Sequence, residues 1–199
     1  MSRGGLYVLS GPSGVGKSTV VREVMRRHPA LRFSVSATTR PIRPGEVDGK
    51  SYWFVTREKF LDMMKKGELL EHAEYVGNLY GTPEKPIDDM MEQGIDVLLD
   101  VEPTGALNVR KRRPDATLIF MAAPEFSVIG ERLRKRGDTP PDKILQRIER
   151  ARWEYAQAEK YDYIVVNDDV QRAAAEVEAI MLAEKCRTNL RLNYLKEEP

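Results

Sequence analysis

Residues 11–18 read Gly-Pro-Ser-Gly-Val-Gly-Lys-Ser, between the short apolar run Leu6–Ser10 and a helical pattern from Thr19 to Arg27 with apolar residues at Val20, Val21, Val24 and Met25. A strand, a glycine-rich turn and a helix opening on Lys-Ser together make a complete phosphate-binding loop. Gly11, Gly14 and Gly16 allow the bends that turn successive N–H groups inward, with Pro12, Ser13 and Val15 completing the loop. The helix that starts near Ser18 and runs on through Thr19 adds its positive end. Lys17 brings a mobile charge to the terminal phosphates, and the Ser18 hydroxyl is the expected ligand of a Mg2+ ion riding on a nucleotide. The pattern in this context points to nucleotide binding and is silent on what is phosphorylated.

Outward from the loop, further short apolar runs lie at Ile95–Val101, Ala116–Met121 and Tyr163–Val166, separated by long helical patterns. Such alternation predicts an α/β fold, a three-layer α/β/α core around a parallel sheet buried on both faces. Two segments differ in texture. From 34 to 82 the chain is polar and rich in Arg, Gly and Tyr, with alternating runs at 52–55 and 71–75 flanking a helix over 57–66, which predicts a small inserted β-rich lobe. From 126 to 155 it is basic and helical in period, broken at Gly137-Asp-Thr-Pro-Pro141, which predicts a lid. The expected division is a core of 1–33, 83–125 and 156–199, a lobe of 34–82 and a lid of 126–155, in one folding unit with a frayed charged tail from Asn189.

Thirty-two Lys and Arg nearly cancel 31 Asp and Glu in the 199 residues, leaving a net charge of +1. No global field attracts a nucleic acid or a membrane surface, so any anion is bound locally. The single cysteine, Cys186, excludes an internal disulfide and a cysteine-based zinc site and fits a reducing compartment such as the cytoplasm. No stretch approaches the roughly 20 apolar residues of a spanning helix. The sequence leaves the oligomeric state open.

Asp100 closes the run Val97-Leu98-Leu99, where a carboxylate at the carboxyl edge of a parallel strand can hold a magnesium-bound water. A second anion-binding constellation surrounds Ser36-Ala-Thr-Thr-Arg40-Pro-Ile-Arg43, with Tyr52 and Tyr80 further along the lobe. Two guanidinium forks and two phenols suit a phosphate, although Arg in a loop is more commonly a solvated charge.

The segments GPSGVGKST, SVSATTRPIRPGEVDGKSYWF, LLEHAEYVGNLYGT, VLLDVE, RLRKR and YDYIVVNDD, in this order from about Leu6 to Asp169, resemble guanylate kinase. The resemblance implies transfer of the γ-phosphoryl group of ATP to GMP, and to dGMP, in purine nucleotide metabolism and GMP recycling. It implies that Arg40, Arg43, Tyr52 and Tyr80 hold the GMP phosphate, that Ser36, Glu71 and Thr82 bind guanine, and that Asp100 lies at the GMP site. The carboxylate of Glu71 can accept from guanine N1–H and the 2-amino group together, whereas adenine offers no such donor pair on that edge. In the lid, Arg132 and Arg136 stand one helical turn apart and Arg147 follows close to three turns later, so all three can converge on phosphates; by resemblance they contact ATP and the group in transfer, and Asn167 lies near the adenine. The departure is at Val101-Glu102-Pro103-Thr104-Gly105, where the family pattern has a second Asp and a Gln. A non-catalytic interaction module of the same fold is the main rival, and the intact Lys17, Ser18, Arg40, Arg43 and Asp100 argue against it.

Overall fold

The computed structural model describes residues 3–75, 77–136 and 141–195. Strand β1 (Leu6–Ser10) leads through the glycine loop into helix α1 (Lys17–Arg27), and β2 (Arg32–Phe33) returns along the sheet edge. The inserted lobe follows as β3 (Ala37–Thr38), β4 (Trp53–Phe54), α2 (Arg57–Lys65), β5 (Leu69–Tyr75) and β6 (Asn78–Pro83). The core resumes with α3 (Glu84–Glu92), β7 (Val97–Asp100), α4 (Pro103–Arg112) and β8 (Thr117–Ala122). Helices α5 (Phe126–Arg136) and α6 (Pro141–Tyr155) come next, then β9 (Tyr163–Val166), α7 (Val170–Lys185) and α8 (Thr188–Arg191).

The five-stranded sheet has the order β2-β7-β1-β8-β9 with every neighbouring pair parallel, as the alternation of strands and helices predicts. Its three central strands β7, β1 and β8 are largely apolar because both faces are covered, whereas the edge strands β2 and β9 keep exposed residues. Leu6, Val8, Val97, Leu99 and Leu118 pack on one side with Ile87 and Met91 of α3 and Ala106 and Val109 of α4. Tyr7, Leu9, Leu98, Ile119 and Met121 pack on the other with α1 and α7 through Val20, Val24, Ala173 and Val177. Successive side chains of one strand thus feed opposite layers.

The lobe is a second sheet of order β4-β3-β6-β5, with Phe60 of α2 fully buried against Ala37, Leu69 and Leu79. Strand β6 has no clear apolar alternation in the sequence because Gly81 and Pro83 interrupt it. Gly81 is there for space: a Cβ would stand 2.9 Å from the Glu71 carbonyl oxygen.

Two boundaries differ from the sequence-based expectations. Ile95 belongs to the turn after α3, its N–H donating to the Met90 carbonyl at 3.0 Å, so β7 begins at Val97. The expected frayed tail instead forms α8 and a 3-10 turn over Leu192–Leu195; residues 196–199 lie outside the described residues. The segment expected to be a lid forms the helix pair α5 and α6; of its expected tip, 137–141, Pro141 opens α6 and 137–140 lie outside the described residues. Among the described residues no helix is long and apolar enough to cross a membrane.

Candidate active site

The loop between β1 and α1 is shaped by what lies on both sides of it. Gly11 runs so close to β8 that a Cβ would meet the Met121 carbonyl oxygen at 2.3 Å. Gly16 occupies the N-cap of α1 at φ 96° and supplies no side-chain cap, and the first turn carries no acid. Two other helices are capped by a side chain, with Thr56 accepting from Lys59 N and Asp169 from Arg172 N. The amide groups opening α1 therefore remain available for an anion, in the field of the helix end. Lys17 Nζ donates to the Gly11 carbonyl at 2.7 Å and lies 3.9 Å from Asp100 Oδ1, so strand-end carboxylate and loop lysine face one another.

Two predicted residues from distant parts of the chain hold the outer side of the loop. Arg132 Nη1 donates to the Val15 carbonyl at 2.9 Å, with Nη2 at 3.4 Å from the Asn167 carbonyl oxygen. The buried Asn167 side chain donates through Nδ2 to the same Val15 oxygen at 2.8 Å. Arg147 is half-buried on α6, and the Arg136 side chain lies outside the described residues.

The second constellation forms on the lobe. Arg40, 9% exposed, stacks its guanidinium 5.2 Å from the Tyr52 ring centre, and Tyr52 meets Tyr80 edge-on at 6.1 Å. Its fork is gripped by Glu46, with Nη1 and Nη2 donating to the two carboxylate oxygens at 2.9 and 2.7 Å. The Arg43 N–H donates to the same carboxylate at 2.8 Å, while the Arg43 side chain is exposed. Arg40 first, then the Arg43 amide, hold the Glu46 carboxyl down at about 2. Sequence reasoning missed Glu46. The available signal was an acid six residues past one arginine and three past the other, within hydrogen-bonding reach once the Pro41–Gly45 turn folds back.

The third group lies between these two. The Thr82 hydroxyl donates to Glu71 Oε1 at 2.6 Å. A Cβ on Gly105 would stand 3.1 Å from Glu71 Oε2, so the glycine in the first turns of α4 leaves room for this carboxylate. Burial pushes the Glu71 carboxyl above the usual range, Thr82 opposes the shift and Glu102 adds to it. Burial likewise raises Asp100, with Lys17 opposing and Glu102 adding. Glu71, Glu102, Asp100 and Lys17 therefore form one electrostatically connected run from lobe to loop. Ser36 sits half-buried between β2 and β3, its carbonyl accepting from Trp53 N at 2.9 Å. Of the two departures from the family pattern, Glu102 stands at the N-cap of α4 and the Thr104 hydroxyl accepts from Arg150 Nη2 at 3.2 Å.

Comparison with known proteins agrees with this geometry. The family model described as guanylate kinase matches residues 3–184. A guanylate kinase of Streptococcus thermophilus is 50% identical over 186 residues, covering 93% of this chain and 89% of that protein. One of Carboxydothermus hydrogenoformans is 43% identical over 194 residues, covering 98% and 95%. The crystal structure of guanylate kinase from Anaplasma phagocytophilum superposes with a TM-score of 0.74 at 34% identity, covering 100% of this chain and 98% of that one. By a family match over most of its length and relatives at up to 50% identity, this chain belongs to the guanylate kinase family.

Proposed function

We propose that the protein transfers the γ-phosphoryl group of ATP to GMP, yielding ADP and GDP, and that dGMP is accepted as well. The observation that carries the reading is the run from Thr82 and Glu71 through Asp100 to Lys17, which joins a base-reading acid to a phosphate loop. Guanine is held by Glu71, oriented by Thr82, with Ser36 beside them. Arg40, Arg43, Tyr52 and Tyr80 hold the GMP phosphate, and Asp100 lies between the two substrates.

ATP is held by residues 11–19, its phosphates on the open amides of α1 and on Lys17. Asn167 and Arg132 brace the loop from outside, and Arg132, Arg136 and Arg147 offset charge on the phosphoryl group in transfer. The acceptor oxygen of GMP is already anionic at neutral pH, so no general base is required of His28 or His72. The chain's task is to align donor and acceptor, neutralise charge and exclude water that would otherwise take the phosphoryl group.

The donor set fits magnesium. Ser18 opens α1 beside the phosphates and Asp100 faces Lys17 across the same space, an arrangement of one hydroxyl and one carboxylate suited to an ion bound mainly by a nucleotide and water. The ion supplies charge neutralisation at the β- and γ-phosphates when bound. A cytoplasmic role in GMP recycling within purine nucleotide metabolism is consistent with the lone cysteine and with the family.

The decisive assay offers ATP and magnesium with GMP, dGMP, AMP, CMP and UMP in parallel and follows ADP. Turnover with GMP and dGMP alone is expected; turnover with AMP equal to that with GMP would overturn the role given to Glu71.

A further inference from the structure

Helix α6 carries a buried acid for which the reaction as described has no use. Arg147, Ala151 and Glu154 recur at spacings of four and three and so share one face of the helix. Arg147 is half-buried, Ala151 is 1% exposed and Glu154 is 4% exposed, so this face turns inward. The end of the helix is fastened by Tyr155, whose hydroxyl accepts from Ala123 N at 2.8 Å and whose ring packs edge-on against Phe120 and Phe126. Those contacts hold the end of α6 against β8 and the start of α5; the contact that ties the helix to α4 is polar.

A carboxylate withdrawn from water requires a partner. Arg150 Nε donates to Glu154 Oε1 at 3.1 Å, and Arg150 Nη2 donates to Thr104 Oγ1 at 3.2 Å. The ring of Trp153, 44% exposed, has its centre 4.8 Å from the guanidinium and packs against it. Thr104 sits in the first turn of α4, four residues past Asp100. A brace thus runs from the inner face of α6 to the segment that follows the metal-facing strand. Burial raises the Glu154 carboxyl, Arg150 opposes this, and both Glu102 and Lys17 are near enough to act on it.

We propose that Glu154 is a positioning residue: through Arg150 and Thr104 it sets the roll of α6 and with it the direction in which Arg147, two turns earlier on the same face, meets the transferring phosphoryl group. This rests on the role given to Arg147 above. A helix with its side chains has a radius of about 5 Å, so a 20° roll moves a side-chain head by roughly 2 Å, and misplacement on the order of 1 Å can cost about 100-fold in rate. An exposed i,i+4 ion pair, by contrast, adds little to stability and nothing to turnover.

The test is a steady-state comparison of wild type, Arg147→Ala, Thr104→Val, Arg150→Met, Glu154→Gln and the double variant Arg147→Ala/Arg150→Met, each checked by thermal denaturation. Arg150→Met is the main probe and is read beside Glu154→Gln, because it also leaves the buried Glu154 without its partner and so lowers thermal stability. It is expected to lower kcat about 10-fold with the KM for GMP and ATP within about twofold, and to cost nothing further once Arg147 is gone. Thr104→Val is expected to lower kcat about threefold. A normal kcat in Arg150→Met beside a slow Arg147→Ala overturns this proposal alone, as does an effect of Arg150→Met that multiplies independently onto Arg147→Ala. A normal kcat in Arg147→Ala overturns the role of that arginine and this proposal with it.

Discussion

Replacing Thr82 by Val tests the base site with the least disturbance. Thr82 is 1% exposed, and Val reproduces its shape while deleting the hydroxyl that donates to Glu71 Oε1 at 2.6 Å. A carboxylate has about four lone-pair sites, so Thr82 leaves three, enough for the two guanine donors. The hydroxyl's value is to fix the carboxylate and keep it ionised, since it opposes the upward shift caused by burial and by Glu102. A hydrogen bond to a charged group contributes about 1.5–3 kcal/mol, and each 1.4 kcal/mol is about tenfold in affinity. The expected outcome at pH 7 is a GMP KM raised about 10- to 100-fold, with the ATP KM unchanged and kcat altered less than about threefold. The pH dependence has a definite sign. Ionised Glu71 accepts the guanine donors, so the GMP KM rises as pH falls toward the raised pKa of that acid. Without the hydroxyl that pKa climbs further and the rise begins at higher pH. Measuring GMP KM at pH 6, 7 and 8 in an ADP-coupled assay decides the matter: a variant within twofold of wild type at all three values would refute the reasoning.

Glu46→Gln separates charge from geometry. If field alone mattered, removing an acid beside Arg40 and Arg43 would tighten GMP; because the fork of Arg40 is aligned by that carboxylate, the GMP KM should instead rise about 10-fold, while inhibition by guanosine, which lacks the phosphate, stays unchanged. Gly16→Ala forces a side chain onto backbone at φ 96° and sets its Cβ 2.5 Å from Asn167 Nδ2, so thermal denaturation should show a loss of about 1–3 kcal/mol and ATP binding should weaken sharply. Asp100→Asn keeps the shape but removes the carboxylate opposite Lys17; kcat should fall about 100-fold and the magnesium concentration giving half-maximal rate should increase, whereas an unchanged magnesium titration would exclude Asp100 from the metal's surroundings.

The phosphate loop, the parallel sheet and the lobe were legible because each leaves a local mark. A fully apolar run such as Leu6–Leu9 states that a strand is buried on both faces, and Gly-x-x-x-x-Gly-Lys-Ser states that backbone amides face an anion. The Arg, Tyr and Glu residues of the lobe were named through family resemblance, and the fold sets Arg40 on Tyr52, Tyr52 on Tyr80 and Thr82 on Glu71. What the sequence could not state was which groups meet across long separations. Asn167 and Arg132 share the Val15 carbonyl from positions more than a hundred residues away, Glu71 finds its space over Gly105, and Glu46 neutralises an arginine that in sequence looks free. Glu154 and Arg150 carry no mark of their own in a basic helical segment, yet one is buried and the other reaches Thr104. Local pattern determines which backbone groups and charges a segment can offer; the tertiary structure decides which of them lose water and which partner compensates, because burial depends on elements that the chain brings together only when folded.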